Sequence, residues 1–211
     1  MDASSSRGSS EAGLFDTGGA LEFFALVAYL PEPLSGFLSG LRKDLDPRFK
    51  GKPHLTILPP RSLIRPWAEV WQETVGIIAA SDSIHVELGN VRTFYESHVV
   101  YLGLNRGASE IADLHDRLNT GCAEARELWE YCPHITLAHG YMGEHFDAAI
   151  DGARAKWVGY RHPHNFEIER LTFVKTAIVP GVNDRGTRSL VASDSEWVDL
   201  AECSLASRVE A

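Results

Sequence analysis

Apolar positions along the chain alternate between strand-like runs and helix-like stripes. Residues 21–30, LEFFALVAYL, form an apolar and aromatic run that predicts a central strand ended by Pro31. Within 33–45, apolar residues recur every three or four positions, which predicts a helix with one buried stripe. The same spacing predicts helices over 66–80, 108–129 and 144–157.

Short apolar runs rich in β-branched residues predict the other strands. These strands cover 53–58, 83–94, 98–105, 134–139, 166–178 and 196–203. Only three residues join 83–94 to 98–105, so this pair is predicted to form a hairpin. The strand at 53–58 is predicted to stop at Pro59-Pro60, because proline cannot donate to a strand ladder. The segment PGVNDRG, 180–186, is predicted to be a loop or a hairpin connection.

This order of elements predicts an α+β fold. Strands separated by helices favour a sheet with helices packed outside it, while the hairpin requires antiparallel pairing. Residues 1–18 are small, polar and glycine-rich, and they predict a flexible N-terminal tail. The remaining chain, 19–211, is short enough to form a single domain.

Charge narrows the range of partners. The net charge of the 211-residue chain is −9, so it lacks the basic field of a protein that binds duplex DNA or tracks long RNA. A small nucleotide or a short RNA end is therefore the expected partner. Any phosphate site must be locally positive against this acidic background.

The three cysteines show no CxxC or CxxH spacing, which favours reduced thiols over a disulfide framework. The longest apolar run is too short to cross a bilayer and contains Glu22. We therefore expect a cytoplasmic monomer that makes no membrane contact.

The chemistry of the chain is concentrated in a repeated tripeptide. His54-Leu55-Thr56 and His134-Ile135-Thr136 each follow a proline and each lead a predicted strand. Side chains two residues apart on a strand project from the same face. The histidine and threonine of each copy therefore point together, while the intervening residue points to the core. His139 has the opposite parity to His134 and is predicted to end its strand away from that face.

Two imidazoles and two hydroxyls are suited to acid–base chemistry on a phosphodiester. Histidine titrates near neutrality, so one ring can accept a proton while its partner donates one. A lone histidine on a strand usually has a structural role, but two motifs with matching threonines make that interpretation weak. A zinc site at His162-Pro163-His164 is disfavoured, because further Cys or His residues at ligand spacing are missing.

These motifs resemble the two-histidine (2H) phosphoesterase superfamily, in its LigT-like branch of RNA 2',3'-cyclic phosphodiesterases and 2'-5' RNA ligases. The opening FFALVAYLPEPLSGFLSGL is similar to the first strand and helix of that branch. The resemblance implies a bilobal fold in which two mostly antiparallel sheets face each other across a central groove, with helices packed outside. Each lobe would contribute one motif strand.

The resemblance also implies roles for the site residues. His134 would act as the base and His54 as the acid, Thr56 and Thr136 would donate to the phosphoryl oxygens, and no metal or other cofactor would be needed. The expected reaction is hydrolysis of a 2',3'-cyclic phosphate, with a bell-shaped pH profile around neutrality. The near-symmetric site could also run in reverse and join RNA ends through a 2'-5' bond.

Residues that bind the substrate are less clear from sequence. Tyr29, on the first strand, is predicted to stack on a base. Lys175 is predicted to take part in substrate binding. The cations nearest in sequence to the predicted groove strands are Lys52, Arg61, Arg65 and Lys175.

Two alternatives stay open at this stage. The same chemistry could act on another nucleotide: ADP-ribose cyclic phosphate, 2',5'-oligoadenylate or a cyclic oligonucleotide signal. The groove could also bind a nucleotide or an RNA end without turnover.

Overall fold

The computed structural model describes residues 21–46, 51–182, 188–192 and 197–207. The predicted tail and part of the 180–186 segment lie outside the described residues. The elements in chain order are β1 Leu21–Tyr29, α1 Leu34–Leu45, β2 His54–Arg61, α2 Trp67–Ala79, β3 Ile84–Phe94, β4 Val99–Arg106, α3 Ala108–Leu118, β5 Ile135–His139, α4 Glu144–Val158, β6 Asn165–Ile168, β7 Arg170–Val182, β8 Arg188–Ala192 and β9 Val198–Ser204.

The strands form two antiparallel sheets, which confirms the predicted α+β class and the bilobal fold. In the first sheet the order is β2-β1-β7-β8, and β9 also pairs with β7. In the second sheet the order is β5-β4-β3-β6. The 83–94 and 98–105 runs form the predicted hairpin as β3 and β4.

Both motif strands lie at sheet edges. β2 is an edge of the first sheet, β5 is an edge of the second, and the two strands lie against each other. Leu55, Ile57 and Ile135, which alternate with the motif side chains, are fully buried in the core. Apolar burial on one face of each strand therefore fixes the motif side chains on the other face.

The predicted strand 166–178 is wrong as a single element. β6 ends at Ile168 and pairs with β3 in the second sheet, whereas β7 begins at Arg170 and is central in the first sheet. Apolar residues alternate in both strands, but the alternation shifts by one residue at Glu169-Arg170, and the single predicted strand overlooked this shift. This crossover at Glu169 connects the two lobes.

The predicted helix 108–129 is also too long. α3 ends at Leu118, and a 3-10 turn follows at Gly121–Ala123. Gly121 has a positive φ of 58°, and the Asn119 side chain accepts a hydrogen bond from the backbone N–H of Ala125. The side-chain bond replaces the helical pattern with a turn, and the helix spacing after Leu118 is coincidental.

β2 continues past the predicted stop at Pro59-Pro60 and reaches Arg61, which pairs with Phe24. An edge strand tolerates proline because one of its sides carries no ladder. The helices of the described chain pack against the apolar faces of the sheets, where Leu38, Ile78 and Ile111 are buried. Within the described ranges, no helix is long and apolar enough to cross a membrane.

Candidate active site

Both motif histidines are held by the same local hydrogen bond. Nδ1 of His54 lies 2.8 Å from the carbonyl oxygen of Lys52, and Nδ1 of His134 lies 2.7 Å from that of Cys132. A carbonyl oxygen only accepts, so Nδ1 carries the hydrogen in each ring. Each Nε2 is therefore left with a lone pair when the ring is neutral, and it is the atom available for proton transfer.

The prolines before the histidines support this geometry. Pro53 and Pro133 are buried, and each stands between the histidine and the carbonyl that its ring contacts. The fixed φ of proline restricts the path of the chain at that point. The tripeptides Lys52-Pro53-His54 and Cys132-Pro133-His134 are thus two copies of one ring-orienting device, on opposite lobes.

Aromatic side chains also surround the rings. His134 meets the edges of Phe94 and Tyr101 at centroid distances of 5.2 and 5.1 Å. His54 packs against Trp197 at 4.6 Å. These contacts limit ring rotation and remove part of each imidazole from water.

The two threonines project from the same faces as their histidines. Thr56 pairs with Val27 of β1, two residues from the Tyr29–His54 pair, and Thr136 pairs with Tyr101 of β4. Thr56 and His134 line one cavity of about 830 Å³ although they belong to different sheets. The two motifs therefore converge between the lobes.

The electrostatics of the site favour neutral imidazoles. Burial, the nearby charge of Arg42 and that of His134 lower the pKa of His54 to about 4, against the opposing effect of its bond to Lys52. Burial also lowers the pKa of His134. The effect of the His134 charge on the His54 ring places the two imidazoles within electrostatic range of one another.

Comparisons with known proteins agree with this geometry. A model of the 2'-5' RNA ligase superfamily matches residues 30–177, which is most of the chain and includes both motifs. The chain belongs to the 2'-5' RNA ligase superfamily. A search of curated proteins found no match.

Solved structures place this superfamily member in the LigT-like two-histidine phosphoesterase fold. Escherichia coli LigT complexed with 3'-AMP is 16% identical, with a TM-score of 0.54 over 87% of this chain and 98% of LigT. A structure described as a phosphoesterase gives the same identity, TM-score and coverage. A Thermus thermophilus protein is 17% identical, with a TM-score of 0.52 over 87% of this chain and 97% of its own.

Tyr29, the predicted base contact, lies beside His54, but its hydroxyl is already hydrogen-bonded. Tyr29 pairs directly with His54 across β1 and β2. Its hydroxyl donates to Asp199, and Lys52 lies over its ring with Nζ 4.9 Å from the centroid. Burial and Asp199 raise the pKa of Tyr29, so the phenol stays protonated.

Lys175 is not brought to the histidines. It pairs with Phe24, five residues along β1 from Tyr29, a separation of roughly 16 Å at strand spacing. Its side chain projects from the same face of the sheet as Phe173, whereas Tyr29 packs on Val174 on the opposite face. The Nζ of Lys175 donates a hydrogen bond to Glu22 at 2.8 Å. The apolar pattern predicts the strand but not its register, which decides the face.

Other cations named from sequence are also paired with carboxylates. Lys52 contacts Asp199 at 3.4 Å, Arg61 contacts Glu127 at 2.8 Å, and Arg65 lies 3.8 Å from Glu69. These pairs reduce the positive charge that each cation offers to a phosphate.

Arg42 is a cation of the site that the sequence analysis missed. It lies on α1, has only 4% of its surface exposed, and carries the charge that acts on His54. Burial lowers its pKa to about 9, so it remains a cation at neutral pH. Its signal was present, because position 42 falls on the apolar stripe of Leu38 and Leu41.

Arg92 is a second missed cation. It pairs with Tyr101 across β3 and β4, so it continues the row that begins at Thr136 on the second sheet. Its side chain is exposed and lies over Gly103, where an added Cβ would come within 3.2 Å of it. Arg92 thus supplies positive charge to the same face as the motif.

His139 ends β5 as predicted, but its face was predicted incorrectly. A register shift separates the Tyr101–Thr136 pair from the Val100–Ala138 pair. This bulge inserts one residue, so His139, opposite Val99, returns to the face of Thr136.

The His162-Pro163-His164 segment lies beside α4, where His164 stacks on Trp157. Within the part of the chain that the structure describes, no three or more His, Cys, Asp or Glu side chains are grouped to hold a metal ion.

Proposed function

We propose that this protein hydrolyses 2',3'-cyclic phosphates of RNA ends or small nucleotides, by paired-histidine acid–base catalysis without a metal ion. One observation supports this proposal above all. His54 begins β2 and His134 directly precedes β5, on different lobes, and both rings share the same Nδ1–carbonyl anchor. Each histidine is accompanied by the threonine two residues further along. A protein that only bound nucleotides would not need matched imidazoles with both Nε2 atoms available.

The reaction would proceed by in-line displacement. Nε2 of one histidine takes a proton from water as the water oxygen bonds to phosphorus. The bond from phosphorus to the ribose 3' oxygen breaks, and the second histidine protonates that oxygen. The products are a 2'-phosphate and a free 3'-hydroxyl.

The threonine hydroxyls would stabilise the charge that builds on the phosphoryl oxygens. Thr56 and Thr136 would donate to the two non-bridging oxygens from opposite lobes. Arg42 and Arg92 would add positive potential within an otherwise acidic protein. The same steps with a ribose 5'-hydroxyl in place of water would join two RNA ends through a 2'-5' bond and release the 3'-hydroxyl, the chemistry for which the superfamily is named.

The electrostatics of the free site favour His54 as the base. Burial and the charge of Arg42 both lower the pKa of His54, whereas burial is the main cause that lowers the pKa of His134. His54 is therefore the ring held more strongly in the neutral form. This order is the reverse of the one that the family resemblance implies. A bound phosphate, being anionic, would favour the imidazolium form of His134 and so complete the pair.

A nucleotide substrate is also supported by a structural neighbour. E. coli LigT is complexed with 3'-AMP in a structure of the same fold. A nucleoside monophosphate combines the ribose, the phosphate and the base that the proposed substrate would present to this groove.

Product analysis with a panel of substrates tests the proposal. The panel contains nucleoside 2',3'-cyclic phosphates, a short RNA with a 2',3'-cyclic end, ADP-ribose cyclic phosphate, 2',5'-oligoadenylate and a cyclic dinucleotide, each with excess EDTA. We expect turnover of the 2',3'-cyclic phosphates to 2'-phosphates, at a rate that EDTA does not change.

Other results would revise the proposal in defined ways. Loss of activity in EDTA would reject the metal-free mechanism. Turnover of only another panel member would keep the histidine chemistry and replace the substrate. Tight binding without product from any member would identify a nucleotide sensor.

A further inference from the structure

An exposed apolar cavity adjoins the motif residues and has no role in the proton-transfer chemistry. It has a volume of about 830 Å³, within the usual range for small-molecule sites. Its walls come from β2, from the hairpin between β3 and β4, and from the segment 125–132. Thr56 and His134 lie at the same cavity, so a ligand held there would reach the proposed reaction centre.

Large apolar side chains at this cavity are unusually exposed. Tyr95 is 68% exposed, Trp129 is 67% exposed and Leu128 is 91% exposed. Single exposed apolar residues are ordinary, but a group that lines one cavity indicates a binding site. Phe94 extends the apolar surface inward, because its ring lies against those of Tyr101 and His134.

The segment that carries Leu128 and Trp129 is firmly anchored. Arg61, which is 6% exposed, donates to Asn119, to the carbonyl of Ala123 and to Glu127 at 2.6, 2.7 and 2.8 Å. Glu127 also lies 3.0 Å from Nε2 of His115. The two exposed residues therefore follow directly after a fixed point in the chain.

The far end of the segment is anchored on a motif strand. The Tyr131 hydroxyl donates to the carbonyl of Thr56 at 2.6 Å, and the Tyr131 ring stacks on His115 at a centroid distance of 3.9 Å. Leu128 and Trp129 are thus held between two anchors, at a fixed position relative to Thr56 and His134. This is pre-organised apolar surface beside a site for a charged group.

We infer that this cavity binds the nucleobase of the substrate, with Trp129 and Phe94 as the principal aromatic contacts. The inference rests on the proposed function for the identity of the ligand. A base has two flat apolar faces and is joined through ribose to the phosphate, so it matches an aromatic cavity that adjoins Thr56 and His134. Base–aromatic stacking tolerates different bases, so the site would favour nucleosides as a class.

The test compares substrates with and without a base. The substrates are adenosine 2',3'-cyclic phosphate and methyl ribofuranoside 2,3-cyclic phosphate, which has the same reacting ring and no base. We expect Trp129→Ala to lower kcat/KM for the adenosine substrate by about 5- to 150-fold, the range of one stacking contact. Turnover of the baseless substrate should stay within about twofold of wild type, and Trp129→Phe should restore most of the loss.

Ile64→Ala is the matched control, because Ile64 is also highly exposed and lies outside the cavity lining. It should leave both substrates unchanged. If Trp129→Ala turned over both substrates as fast as wild type does, the base site would be rejected. An equal loss on both substrates would also reject it, since it indicates a structural effect.

A binding measurement separates this inference from the proposed function. Calorimetry with adenosine 3'-monophosphate and with ribose phosphate needs no turnover. Wild type could turn over no cyclic phosphate and still bind the nucleotide more tightly than ribose phosphate. If Trp129→Ala then removes that preference, the base site is supported and the enzyme activity is rejected. If wild type is active and shows no base preference, the activity holds and the base site is rejected.

Discussion

His54→Ala and His134→Ala are each expected to lower kcat for a 2',3'-cyclic phosphate by about 10²–10⁴-fold, the usual range for one proton-transfer role. Each ring presents Nε2 because its Nδ1 is occupied by the carbonyl of Lys52 or Cys132. An alanine at either position removes the base or the acid while leaving the other motif intact. Steady-state kinetics at saturating substrate measure the loss directly.

The double variant adds a sharper result. Residues that act as one unit give strongly non-additive losses of activity. The kcat of the double variant His54→Ala with His134→Ala should therefore be only slightly lower than that of the less active single variant. His145→Ala is the control, because His145 is exposed on α4 and lies on neither motif strand.

Thermal unfolding of each variant should resemble that of wild type. A single variant that kept kcat within tenfold of wild type would remove that histidine from the mechanism.

Glu127→Ala is expected to lower the free energy of unfolding by about 3 kcal/mol. Removal of one partner of a buried ion pair leaves the other charge uncompensated, and such changes cost about 3–5 kcal/mol. The lower end applies because Glu127 keeps 19% of its side chain exposed. For a chain of this size the loss corresponds to a fall in Tm of roughly 6–12 °C, measurable by calorimetry.

Glu124→Ala is the matched control for that change. Glu124 lies three residues away and is exposed, so its removal should change stability by less than about 0.5 kcal/mol. Equal stability of the two variants would show that Glu127 does not compensate the buried Arg61 charge. The account of the anchored segment would then lose its basis.

Sequence patterns predicted the fold class and the orientation of the motif side chains better than they predicted the bounds of the elements. Alternation on a strand is a local property, so the shared faces of His54 with Thr56 and of His134 with Thr136 followed from the residues alone. The face of Lys175 and the return of His139 depend on strand register and on a bulge. Both are properties of the partner strands, which a single segment does not reveal.

The same limit explains the errors in the elements. Only Glu169 separates β6 from β7, so the two read as one strand although they join different sheets. Helix spacing persists beyond Leu118, where the chain turns at Gly121. The network around Arg61 depends on side chains more than fifty residues apart. Arg42 was accessible from sequence, because a charge on an apolar helix stripe indicates a buried and specific role.

The central claim is that the two imidazoles act as one base and one acid, and the pH dependence of kcat/KM tests it most directly. The rate requires a neutral base and a protonated acid, so wild type should give a bell-shaped profile. Lowering the pKa of the base moves the rising limb to lower pH, and lowering that of the acid moves the falling limb the same way. Since burial lowers both pKa values, that of His54 to about 4, we expect the maximum below pH 6.5 instead of near neutrality.

Each single variant should then keep one limb of the bell, and the two variants should keep opposite limbs. With His54 as the base, the residual rate of His54→Ala would only fall as pH rises, and that of His134→Ala would only rise. The opposite pattern would exchange the roles and retain the pair. A flat wild-type profile, or a bell that survives in both variants, would contradict paired catalysis by His54 and His134.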